Sequence, residues 1–74
     1  MTYFYSYRDI YKLKRGDKLV GLETKGLVKQ AENYWFVEPC ETTIGIIIAR
    51  TLKGNEIVGD YCRFAKISPK KKIG

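Results

Sequence analysis

The sequence predicts a mostly β protein: a small five-stranded antiparallel β-barrel, SH3-like or OB-like in size, with a short N-terminal helical turn or extended aromatic segment. Three observations carry this reading. β-Branched and aromatic runs of strand length recur from Asp17 onward, separated by turn residues such as "TKG" and "KGNE". Helical spacing appears only before Gly16. The chain has 74 residues, and domains near this size bury only about 60% of the surface their unfolded chains expose. A sheet in so short a chain best hides its inner face by curling on itself.

The first element is a segment with two competing patterns. In "TYFYSYR", Tyr3, Tyr5 and Tyr7 share one face of a strand, while Phe4 lies with Thr2, Ser6 and Arg8 on the other. From Ser6 a helix reading opens. "SYRD" is S-x-x-D, a relative of the capping box, and Tyr7, Ile10 and Tyr11 follow at helical spacing with Leu13 beside them. Lys14 and Arg15 suit a helix C-terminus and Gly16 closes it. Residues 2 to 6 are therefore expected to be extended, and residues 7 to 15 to form a helical turn or short helix.

Five strands are expected after that. "DKLVGLE" runs out, "TKG" turns and "LVKQA" returns. After a turn at "EN", "YWFVE" follows and ends at Pro39, which has no N–H for a ladder. "TTIGIIIARTL" is β-branched almost throughout, and "KGNE" turns at Gly54-Asn55. "IVGDYCRFAKI" runs back, bent or bulged at Gly59-Asp60. Residues 1–67 make one domain and residues 68–74, "SPKKKIG", a basic flexible C-terminal tail.

A curled sheet has one core, so each strand with apolar residues on both faces poses a question of ownership. In "YWFV", Tyr34 and Phe36 point one way and Trp35 and Val37 the other. Ile46 and Ile48 against Ile47 and Ala49 repeat the dilemma. The expected solution is that the aromatic N-terminal segment lies across the outer face as a second small core, because large exposed apolar patches are uncommon on monomers. Self-association into a homodimer satisfies the pattern equally well. An exposed aromatic strip that binds a partner is the alternative.

Charge narrows the partner. Fourteen Lys and Arg against eight Asp and Glu give a net charge of +6, divided evenly along the chain. A sequence pI of about 9.4 favours anionic partners, although a solubilising surface has the same composition. There is no histidine, which removes Ser-His and Cys-His nucleophilic systems and imidazole ligands. Two separated cysteines do not make a zinc site, the acidic residues form no dyad, and the glycines show no phosphate-loop spacing. No enzymatic activity, metal or cofactor is expected. Neither an export signal nor a run of about 20 apolar residues is present, so the cytoplasm is the expected compartment and no membrane a partner. Cys40 and Cys62 are then expected to be buried thiols.

What remains is cationic charge interleaved with aromatics. Lys12, Lys14, Arg15 and Lys18 are the densest internal cluster, Arg50 and Lys53 flank the tip of the long hairpin, and Lys70, Lys71 and Lys72 end the chain. Single-stranded nucleic acid uses such a set: cations neutralise phosphates while bases stack on aromatic rings. The expected function is non-catalytic nucleic-acid binding, with Tyr34 and Phe36 as stacking rings if they face outward. The alternative is a protein-docking module using the strip around Tyr34 and Phe36 or the Tyr3-to-Tyr7 segment.

The order "GDKLVGLETKGLVKQA", "TTIGIIIA", "KGNEIVGDY" also resembles the small β-barrel proteins of phage particles, such as head-decoration proteins. The resemblance spans Gly16 to Tyr61 and rests on turn glycines and β-branched residues. It implies a virion or assembly role, or a small inhibitor that docks on a larger host protein, and carries over no functional residue.

Overall fold

A computed structural model describes residues 1–67 of the chain. The capping signal at Ser6 forms as expected. Its side chain accepts from the Arg8 N–H at 3.3 Å, and Asp9 Oδ2 accepts from the Ser6 N–H at 3.1 Å. The helix that follows is a 3-10 helix, Tyr7–Lys12, preceded by the two-residue strand β1, Thr2–Tyr3. Lys14 to Asp17 then make a turn. The Asp17 N–H donates to the Lys14 carbonyl, and Asp17 Oδ2 accepts from the Lys14 N–H at 2.8 Å.

Beyond that turn lie β2 (Lys18–Gly21), β3 (Asn33–Pro39), β4 (Ile46–Thr51), β5 (Glu56–Asp60), a second 3-10 helix (Tyr61–Arg63) and β6 (Phe64–Lys66). All pairings are antiparallel, in one sheet of six strands ordered β1-β6-β2-β3-β4-β5. No ladder joins β1 to β5 among the described residues, so the sheet is open. The strand set differs from the expected five in three ways, the first being that Thr2–Tyr3 of the N-terminal segment joins the sheet as β1. "LVKQA" is not a strand, because Gly21 exchanges backbone bonds with Ala31 and Glu32 and so carries β2 directly onto β3. Leu22 to Glu32 become the connection, with a single bridge between Lys25 and Val28. The expected last strand divides. Its first part pairs with β4, and after the second 3-10 helix β6 pairs with β2 and β1 at the other side of the sheet.

That crossing bends the two ends of the sheet toward each other. A side chain on Gly59 of β5 would meet Val28 Cγ2 at 2.5 Å and the Phe64 ring of β6 at 3.0 Å. Only glycine permits this approach. Ten residues fill one core: Phe4, Ile10, Leu19, Val28, Tyr34, Phe36, Ile47, Ala49, Ile57 and Phe64. Each large side chain removed from water here contributes about 1.5–3 kcal/mol.

The membership of this core settles the ownership question. Tyr34 and Phe36 face inward with Ile47 and Ala49, whereas Trp35, Ile46 and Ile48 lie half-buried on the outside. The N-terminal segment does not build the second core expected of it. Phe4 and Ile10 enter the one core, while Tyr3, Tyr5, Tyr7 and Tyr11 remain exposed. The cysteines also depart from expectation. Cys40 is half-buried, Cys62 is exposed, and both are free thiols. No described helix is long and apolar enough to cross a membrane. The tail, residues 68–74, lies outside the described residues.

Candidate nucleic-acid interface

The outer face of the sheet carries a cross-strand row. Antiparallel register sets Lys18 of β2 opposite Trp35 of β3, Trp35 opposite Arg50 of β4, and Arg50 opposite Glu56 of β5. Adjacent strands are about 4.8 Å apart, so the two cations bracket the indole across roughly 10 Å. Their inward neighbours, Leu19, Tyr34 and Ala49, are fully buried, which fixes the row as outward.

A fifth member, and third cation, comes from the turn before β2. The Gly16 N–H donates to the Phe36 carbonyl and the Phe36 N–H to the Asp17 carbonyl, both at 2.8 Å. These bonds hook the turn onto β3. Arg15 therefore lines a hollow of about 120 Å³ together with Trp35, Val37 and Arg50. A second hollow, of about 240 Å³, opens on the side of the hairpin tip, bounded by Trp35, Arg50, Thr51, Leu52 and Gly54. Trp35 and Arg50 form the ridge between the two.

Electrostatically the row is cationic with one acidic end. Glu56 lies 3.6 Å from Arg50, and both side chains are about half exposed (55% and 48%). Such a pair is worth about 0–1 kcal/mol and leaves Arg50 free to exchange partners. Arg15 and Lys18 make no salt bridge among the described residues.

The expected cationic cluster is divided by the fold. Arg15 and Lys18 join Trp35, whereas Lys12 lines a separate groove with Tyr3, Tyr5, Asp9 and Lys66. Lys14 is exposed in the turn, and Lys53 is exposed at the tip between β4 and β5. Lys70, Lys71 and Lys72 lie outside the described residues. The largest correction concerns the stacking rings. Tyr34 is 0% and Phe36 3% exposed, so neither presents a face to a base or a partner protein. Trp35 between them is the accessible ring.

Tyr34 has a structural task instead. Its ring meets Phe64 edge to face at 5.5 Å, and its hydroxyl accepts from the Lys29 N–H at 2.9 Å and donates to Glu32 Oε2 at 3.2 Å. The connection between β2 and β3 thus hangs from a core side chain. Burial pushes the Tyr34 phenol above its ordinary value of 10.0, with the Lys29 N–H opposing and the Glu32 charge reinforcing the rise. Elsewhere, hydrogen bonds from Thr42 and Thr43 draw the Cys40 thiol below its ordinary value. Among the described residues, no three His, Cys, Asp or Glu side chains are grouped to hold a metal. Compared with known proteins, the chain matches no family model, no curated protein and no solved structure.

Proposed function

We propose that this chain is a non-catalytic nucleic-acid-binding domain that engages its ligand through the outer face centred on Trp35. The observation that carries the reading is the register Lys18–Trp35–Arg50, with Arg15 hooked alongside. Cations on both sides of an accessible ring match a ligand that alternates phosphates with flat bases. Lys14 and Lys53 extend the same charge around the row, and the tail lysines add to the long-range attraction. In fold terms we read the sheet as a barrel-like curl, supported by the contact of Gly59 with Phe64 across its two sides.

The test is titration of the intact chain with oligonucleotides over a range of salt. Releasing counterions from the two phosphates that flank one nucleotide gives a slope of about −1.4 in log K against log salt for a single strand. Replacing Arg50 with Gln should make that slope shallower by about 0.7. Failure of every oligonucleotide to bind at low salt would sink the reading.

A second reading, docking on a larger protein in an assembly or inhibitory role, draws on a different surface. Tyr3, Tyr5, Tyr7 and Tyr11 are exposed, Tyr5 at 87%. Tyrosine supplies contact area at low entropic cost, which suits an interface. This reading predicts a complex that tolerates salt and is lost in Tyr5→Ser.

A further inference from the structure

We infer that the Trp35 face selects unpaired over duplex nucleic acid: one base lies against the indole, and the phosphates on either side of that nucleotide are held by Arg15 and Lys18 and by Arg50. The inference rests on the proposed function and specifies the ligand class of the same site.

The shape of the ridge comes first. Trp35 is half-buried and flanked by hollows on two sides, so a flat group can settle beside the ring without any side chain first moving. The hollow toward the hairpin tip is the larger, about 240 Å³ against about 120 Å³, and Leu52 at its rim is 84% exposed. An apolar rim and an indole wall suit a base face. The smaller hollow has Arg15 and Arg50 at its edges and suits the charged backbone.

A duplex offers this ridge little. In a double helix both faces of each internal base are covered by neighbours, and only phosphates and groove edges are presented. Those could neutralise the cations and would leave the indole idle. A single strand can turn one base out of its stack and place it on an aromatic ring. The row is also short. Lys18 and Arg50 lie roughly 10 Å apart across the sheet, room for the phosphates flanking one nucleotide and no more. The described helices, Tyr7–Lys12 and Tyr61–Arg63, are 3-10 segments of six and three residues, too short to lie along a major groove as a recognition helix does. Charge complementarity identifies the occupant. The Trp35 row carries Arg15, Lys18 and Arg50 against Glu56, while the other acids of the outer face, Glu38 and Asp60, lie toward its opposite end, Asp60 paired with Arg63.

The decisive comparison uses the full chain with a single-stranded oligothymidylate of about ten nucleotides, the same strand annealed to its complement, and the same strand carrying abasic sites. The expected result is that the single strand quenches Trp35, the chain's one tryptophan, and binds at least tenfold more tightly than the duplex at equal salt. The abasic strand, equal in phosphates, should bind about tenfold more weakly than the intact strand and without quenching. Trp35→Leu should reproduce that loss, read by anisotropy of a labelled strand, while Trp35→Phe should restore most of it. Should Trp35→Leu fail to fold, the abasic strand on the unaltered chain decides the same question. Equal binding of duplex and single strand, or of abasic and intact strand, overturns the inference and leaves nucleic-acid binding standing. Absence of binding to all three overturns both, and points to the protein-docking surface.

Discussion

The two faces of the β2–β5 sheet have the same backbone and nearly the same apolar content, yet they are held to different standards. On the inner face Leu19, Tyr34, Ile47 and Ala49 are fully buried, and Ile57 is nearly so. On the outer face Trp35, Ile46 and Ile48 are half-buried, Val58 is 50% exposed, and charges separate them. The inner face has been closed by other parts of the chain: Phe4, Ile10, Val28 and Phe64 all converge on it. The outer one is covered only in part, with Lys25, Gly26 and Leu27 of the β2–β3 connection standing beside Ile46 and Val58. The inner face therefore determines whether the chain folds, and the outer face can change its residues at little cost to folding.

The sharpest way to test that division is to remove an inner side chain. Phe64 is fully buried, meets Tyr34 edge to face and abuts Gly59 where the sheet's sides approach. Phe64→Ala should cost about 3–5 kcal/mol, the range for a large aromatic truncated in a core. A domain of this size has about 4–11 kcal/mol in total, so the urea midpoint should fall by at least about a quarter. A loss below about 1 kcal/mol would mean that the two sides of the sheet do not in fact share one core.

Next in size is the hydroxyl of Tyr34, through which a core side chain holds the loop above it by hydrogen bonds. Tyr34→Phe keeps the ring and leaves the Lys29 N–H without its partner, at a cost of about 1–2 kcal/mol. The pH dependence separates this from packing. The phenol is raised in the folded chain above its ordinary 10.0, so the unfolded chain loses this proton first as pH rises. Its contribution is present below about pH 10 and is lost above it, as pH climbs toward the folded-state value. The wild-type chain should thus lose more stability than Tyr34→Phe between about pH 9 and pH 11. Equal losses would remove the buried phenol from the account.

How much of this was legible in the sequence follows from the same two faces. The capping box at Ser6 and Asp9, the strand ending at Pro39 and the turn at Gly54 are local events, and local residue chemistry announced them. The inward faces of β4 and β5 stayed open in the apolar pattern alone; the charges that go with them, Arg50, Glu56 and Asp60, and Lys18 on β2, do carry the outward parity of those strands. β3 has no such marker. The register shifts between Phe36 and Glu38, so Val37 is an extra residue and alternation changes phase there. Asn33 and Glu38, at odd and even positions, both end up exposed. Counting in twos along "NYWFVE" therefore gives no consistent polar face, and Trp35 could not be told from Tyr34 until register with Arg50 was known. The division of the last strand depended on which neighbours its halves would find, a long-range choice. The left-handed turn at Ala31, φ +64°, was also illegible, because the residue is neither Gly nor Asn.

The smallest expected effect probes the outer face alone. Glu56→Gln removes the one acidic member of the Lys18–Trp35–Arg50 row while keeping the side chain's size. The Arg50–Glu56 pair is 3.6 Å long and open to water, so its loss should change stability by less than about 0.5 kcal/mol. On binding the sign reverses, because Arg50 no longer has to exchange a carboxylate for a phosphate and the face gains a unit of positive charge. A single-stranded oligonucleotide should bind a few-fold more tightly at low salt, with the gain shrinking as screening increases. The pairing of outcomes is what matters. A substitution that leaves the urea midpoint in place and tightens binding belongs to a surface under selection for contact. One that lowers the midpoint as an inner residue does, or leaves binding unmoved at every salt concentration, would make the outer row part of the scaffold and return the search for a ligand to the tyrosines of the N-terminal segment.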